Sequence, residues 1–162
     1  MNRLIELVLR DLSQTRHLAQ IMAEAFEKGQ FLALSGDLGA GKTTFTRALT
    51  ESLGCRKLAT SPTFSVIQHY EGGRLRVFHA DFYRLGSEDE VYDLGWDEFV
   101  QEYSEELMVV EWADKYPDLL PQDRLMMDCS HADDLDVRVF RLSAHGTRSA
   151  RLLQKIEGSW LT

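Results

Sequence analysis

One stretch of eight residues constrains this chain more than any other: Gly36-Asp37-Leu38-Gly39-Ala40-Gly41-Lys42-Thr43, a full match to G-x-x-x-x-G-K-S/T. A loop of this kind wraps a β-phosphate with its backbone N–H groups. It needs glycines both for the φ angles and for the close approach. The helix that follows adds the partial positive charge of its N-terminus. In this pattern Lys42 bridges the β- and γ-phosphates, the Thr43 hydroxyl ligates Mg²⁺, and Thr44 continues the same cradle. The required context is present: Phe31-Leu32-Ala33-Leu34 reads as a buried strand before the loop, and a helix of about 12 residues ending near Gly54 follows it. A nucleoside triphosphate site is expected. No guanine-reading Asn-Lys-x-Asp tetrapeptide occurs, which favours adenine.

The rest of the chain supplies a sheet around that unit. Ile5, Leu7 and Leu9 alternate with polar or smaller neighbours as in a short half-buried strand. Leu18, Ile21, Met22, Ala25 and Phe26 recur at helical spacing, predicting a helix that starts near Ser13 or Thr15 and is stopped by Gly29. Thr63 to Tyr70 and Arg74 to His79 are β-rich runs flanking Glu71-Gly72-Gly73, a hairpin signal. Ser87 with Glu90 forms a capping box, so the acidic segment 87–106 opens as a helix. Leu107 to Val110, Arg124 to Cys129 and Leu135 to Leu142 read as strands, and Leu152, Leu153 and Ile156 share one face of a terminal helix. This order implies one α/β domain over residues 1–162, a three-layer P-loop NTPase-like fold whose mixed β-sheet includes a central antiparallel hairpin.

A phosphate loop needs a metal-side carboxylate at the end of a neighbouring strand. Glu111 ends the apolar run Leu107-Met108-Val109-Val110 and takes the Walker B role; Asp81, ending Val77-Phe78-His79-Ala80, is placed to hold a metal-bound or attacking water. The hydroxyls of Thr60, Ser61 and Thr63 are candidates for sensing a γ-phosphate, as switch loops do, although such a run also suits a plain turn. His69 and His79 are read as sharing one strand face; without a third ligand in reach they are structural. Arg84 is an internal arginine-finger candidate, and a salt bridge to the acidic segment explains it equally well.

Charge sharpens the partner question. Eighteen Lys and Arg against 26 Asp and Glu give −8, the wrong sign for a chain that grips nucleic acid unaided. Residues 87–106 hold nine acidic side chains and no Lys or Arg, whereas residues 137–162 carry a net +4. Cys55 and Cys129 are far apart and read as reduced structural thiols. No 18-residue apolar run appears, so a soluble cytoplasmic protein is expected.

Taken together, residues 36–45, Ser-Pro-Thr-Phe-Ser (61–65), His-Ala-Asp-Phe-Tyr-Arg-Leu (79–85), Asp-Leu-Gly (93–95), Val-Val-Glu-Trp (109–112) and Leu-Leu-Pro (119–121) resemble the TsaE family, the small ATPases of bacterial tRNA threonylcarbamoyladenosine synthesis. Phe64 and Ser65 stand where tyrosine and threonine are usual, and residues 123–162 match only in general character. The resemblance implies an ATPase whose ATP binding and hydrolysis, with Mg²⁺, drive turnover of the TsaD/TsaB transferase complex, so that tRNA is met only through that complex. By the same carry-over Lys42 binds phosphates, Thr43 and Glu111 hold Mg²⁺, Asp81 and Trp112 support hydrolysis or coupling, and Thr63 is the switch residue. Two other classes share the loop. A small-molecule kinase needs an acceptor pocket and an arginine-bearing lid, and the acidic segment has the wrong sign for one; a nucleotide-sensing adaptor would not need Glu111 and Asp81.

Overall fold

Seven strands form a single mixed sheet in the computed structural model, which describes residues 3–59, 66–102 and 105–162. They are β1 (Leu4–Leu9), β2 (Phe31–Ser35), β3 (Ile67–Tyr70), β4 (Val77–Asp81), β5 (Leu107–Glu111), β6 (Arg124–His131) and β7 (Arg138–His145), in the order β1-β7-β6-β2-β5-β4-β3. Strands β6, β2, β5 and β4 run parallel; β1, β7 and β3 pair antiparallel at the two sides. The hairpin β3–β4, central in the chain, is therefore peripheral in the sheet, with β3 at its edge.

Side-chain alternation produces the layers. Leu32 and Leu34 of β2 face one way, with Leu107 and Val109 of β5. They pack on α1 (Leu12–Ala25), α2 (Lys42–Leu53) and α5 (Thr147–Leu161). Phe31, Ala33, Met108 and Val110 face the other way, onto α3 (Glu88–Asp93), α4 (Trp96–Glu102) and the turns Ala113–Lys115 and Pro117–Leu119. Both faces of β2 and β5 are thus dry, which is why these strands read as continuous apolar runs. Trp96 anchors the second layer: its ring centroid lies 5.1 Å from that of Phe82, and its indole N–H donates to the Leu119 carbonyl at 2.9 Å. Over the β1–β7–β6 side that layer stops, leaving Leu4, Glu6, Val8 and Arg141 exposed.

Several boundaries differ from the sequence reading, each for a local reason. Helix α1 starts at Leu12, because Asp11 is extended and its carboxylate accepts the Gln14 N–H at 3.0 Å; it stops at Ala25, where Phe26 turns to extended backbone before Gly29 is reached. Arg74 sits outside the β4 ladder because its N–H donates to Leu53 O at 2.8 Å and its guanidinium to the Ala23 and Phe26 carbonyls. Strand β7 begins at Arg138, since Asp134 folds residues 134–137 into a turn, accepting the Asp136 N–H on its carboxylate and the Val137 N–H on its carbonyl. The acidic segment is two short helices, broken at Gly95 (φ 83°), rather than one. Gln68 pairs with His79 and His69 with Phe78, so the two histidines lie on opposite faces of the hairpin, not on one.

Candidate functional site

The loop between β2 and α2 requires glycine where the motif has it. Gly36, Gly39 and Gly41 all have positive φ, at 128°, 78° and 110°. At Gly36 a Cβ would also collide with the Cys129 carbonyl of β6, so the loop leaves the sheet wedged against a neighbouring strand. Gly41 caps α2 without any side-chain acceptor, which leaves the first helical N–H groups directed at the loop's concavity. Lys42 is buried, and its ammonium donates to the Gly36 and Asp37 carbonyls, the latter at 2.9 Å. It also lies 4.3 Å from the centre of the Trp112 ring.

Two strand ends bring the carboxylates to this loop. Strands β4 and β5 pair in register, so Asp81 is the direct partner of Glu111. Glu111 is 2% exposed, and both its oxygens are engaged: Oε1 accepts from the Thr43 hydroxyl at 2.9 Å, and Oε2 lies 2.6 Å from His79 Nε2. Behind His79 the Tyr70 hydroxyl lies 3.2 Å from Nδ1 and donates to Gln68 Oε1 at 2.7 Å. Asp81 is only half-buried and accepts the Tyr83 N–H at 2.9 Å. Burial pushes its carboxyl above the ordinary carboxylate range, and the Glu111 charge adds to the rise. The Tyr83 amide, His79 and Lys42 offset it only in part.

Trp112 directly follows Glu111 and is the one described non-glycine residue at positive φ (57°). A bulky side chain in that conformation is strained. The strain aims the indole across Lys42, with its ring 5.0 Å from that of Tyr83. The structure therefore gathers Gly36, Gly39, Ala40, Gly41, Lys42, Thr43, Asp81, Glu111 and Trp112 at one end of the parallel strands; Asp37, Leu38, Gly39 and Thr44 are the exposed members of the loop and of the first turn of α2. Thr63, with Thr60 and Ser61, lies outside the described residues. Arg84 is exposed, and among the described residues it makes no ion pair with the acidic segment.

A feature missed by the sequence reading adjoins the loop. A cavity of about 470 Å³ opens between the loop, the start of α1 and the β6–β7 turn; Arg10, Asp11, Thr15, Thr44, Arg138 and Phe140 line it. That volume suits a nucleoside-sized ligand. Its residues come from three distant segments with no shared motif, and only the fold brings them together. As for metal, Thr43 and Glu111 offer hard oxygen donors, the type that suits Mg²⁺. Among the described residues no cluster of three or more His, Cys, Asp or Glu could hold an ion by itself. Cys129, fully buried, has its thiol pushed far up by desolvation and is inert at this site.

The chain is similar to known proteins in sequence and in fold. Residues 9–139 match the sequence model of the family described as threonylcarbamoyl adenosine biosynthesis protein TsaE. A Bacillus subtilis (strain 168) protein named tRNA threonylcarbamoyladenosine biosynthesis protein TsaE is 40% identical over 143 residues, 88% of this chain and 87% of that protein. The protein of the same name from Streptomyces coelicolor is 40% identical over 120 residues, 72% of this chain and 79% of its own. The crystal structure of Bacillus subtilis YdiB superposes with a TM-score of 0.80 at 33% identity, covering 97% of this chain and 96% of that one.

Proposed function

The chain belongs to the TsaE family, whose members take part in tRNA threonylcarbamoyladenosine biosynthesis, and on that premise we propose that it is a Mg²⁺-dependent ATPase that binds ATP, hydrolyses it slowly alone, and drives turnover of a TsaD/TsaB transferase complex in the cytoplasm. The observation that supports this most directly is the 2.9 Å contact between Thr43 and Glu111 beside a glycine loop that runs into the N-terminus of α2. In this reading the amides of Gly39 and of residues 41–44, with the Lys42 ammonium, bind the phosphates, and the adjoining cavity takes the nucleoside. Thr43 and Glu111 hold Mg²⁺, which when bound offsets the charge on the phosphate oxygens. Asp81, beside Glu111 and with the higher proton affinity of a desolvated carboxyl, orients the attacking water and accepts its proton. Trp112 covers Lys42 and excludes solvent from it.

Lys42 is the cation at the phosphate loop, Arg10 and Arg138 line the adjoining cavity, and an arginine finger supplied by a partner would contribute ~10³–10⁵ in rate. Hydrolysis by the free chain is accordingly slow, and the partner complex completes the site. No helix among the described residues is long and apolar enough to cross a membrane. The test is phosphate release from ATP, measured for the free chain and for the chain mixed with TsaD and TsaB. A marked acceleration, abolished by Lys42→Ala, is expected. Equal rates would end the gating idea, and transfer of phosphate to a metabolite instead of its release would turn the assignment toward a kinase.

A further inference from the structure

Glu111 is held from behind as well as from the nucleotide side, and what holds it is a group with no part in the ATP-binding motif. His79 is fully buried on β4, the strand next to β5, with Nε2 2.6 Å from Glu111 Oε2. The side chain cannot drift, because Nδ1 is engaged too. The Tyr70 hydroxyl lies 3.2 Å from Nδ1 and 2.7 Å from Gln68 Oε1, so both ring nitrogens of His79 face a polar neighbour. Gln68 and His79 are register partners across the hairpin, which fixes this stack by backbone pairing. The result is one line of contacts across three strands, running Gln68, Tyr70, His79, Glu111 and Thr43.

We infer that His79, backed by Tyr70 and Gln68, is the positioning residue of Glu111: by occupying Oε2 it leaves Oε1 as the oxygen presented to Thr43 and to the ion. This rests on the reading of Thr43 and Glu111 as the Mg²⁺ site. The physical grounds are two. A carboxylate with one free oxygen can rotate about its last bond, whereas one with both oxygens held in a dry environment cannot. Groups behind a metal ligand that fix its orientation typically change metal affinity by 10–100-fold when removed. A role confined to core packing would affect folding alone. Filling the same volume with an apolar side chain would then leave ion binding intact.

The experiment uses the full chain with a non-hydrolysable ATP analogue and measures Mn²⁺ affinity by electron paramagnetic resonance, alongside analogue binding in EDTA and thermal unfolding. His79→Leu is expected to weaken Mn²⁺ binding about tenfold or more while leaving metal-free analogue binding within about twofold. His79→Gln, whose amide can still donate to Oε2, restores most of that affinity. Tyr70→Phe, which removes the hydroxyl that meets both His79 and Gln68, weakens Mn²⁺ binding by about threefold. Where His79→Leu fails to fold, the Gln and Phe variants decide. Unchanged Mn²⁺ affinity in Tyr70→Phe, or in a folded His79→Leu, overturns the proposal. Glu111→Gln separates the two levels. If it loses Mn²⁺ while the His79 and Tyr70 variants do not, only the positioning role falls; if it too keeps Mn²⁺, the metal site itself is wrong and the proposal falls with it.

Discussion

Two aspartates, one on each side of the sheet, are driven in opposite directions by the same fold. Asp81 ends β4 in the parallel region, where burial and the neighbouring Glu111 raise its carboxyl. Asp123 precedes β6, on the side of the sheet that β7 and β1 complete by antiparallel pairing, and caps α5 from outside the helix. It accepts the Arg148 and Ser149 N–H groups at 2.9 and 3.0 Å and the Ser149 hydroxyl at 2.6 Å. Some desolvation opposes ionisation there too, but those hydrogen bonds and the Arg148 charge outweigh it, and its carboxyl is held below the ordinary range. The difference teaches which half of the molecule is built for stability and which spends it on a site.

Breaking the first half gives the largest effect. Asp81→Asn removes the proton acceptor and is expected to cut ATP hydrolysis by about 100-fold or more in a phosphate-release assay. The same change raises the melting temperature at neutral pH. The folded carboxyl binds its proton more tightly than the unfolded one, so its stabilising share exists at low pH and is lost as pH rises through the folded value. The gain from Asn therefore shrinks toward acid, and a melting temperature lowered at pH 7 would contradict the assignment.

Asp123→Ala should do the reverse. Loss of the cap costs about 1 kcal/mol, a fall of roughly 2–4 °C in melting temperature, with hydrolysis per folded molecule unchanged. Here the folded carboxyl is more acidic than the unfolded one, so its contribution is present above the ordinary carboxylate range and disappears as pH falls through the folded value. Wild type and variant should converge in acid. The smallest effect belongs to the exposed ladder Glu6–Arg141–Asp128, with Arg141 Nε 3.0 Å from Glu6 and its Nη1 4.0 Å from Asp128. Arg141→Ala is expected to cost less than about 1 kcal/mol and to lose even that in high salt.

The parallel half was also the more legible one in the sequence. Strands β2 and β5, the loop and α2 carry their own signals: apolar runs buried on both faces, glycines at required φ angles, and Gly54 in the left-handed conformation closing α2. The place of Glu111 and Asp81 at strand ends is legible because a strand-end carboxylate is a local pattern. The contact of His79 with Glu111 is not, since nothing local says that β4 lies beside β5; that is a consequence of sheet order. The cavity beside the loop and the capping of α5 by Asp123 were hidden for the same reason, each joining segments more than 20 residues apart. The break of the acidic segment at Gly95 was visible as a glycine, but the anchoring of Trp96 under Leu119, which fixes the second helix, was not.

The seat of Gly36 against the Cys129 carbonyl gives the quieter half a mechanical part in the chemistry. Strand β6 is the abutment on which the phosphate loop rests, and the Phe140 ring of β7 stands against Phe45 of the helix that the loop feeds, 6.1 Å between centroids. The height at which amides meet phosphate is therefore gauged by β6 and its antiparallel partner β7. Softening β6 and β7 would detune nucleotide grip without touching one residue of the motif.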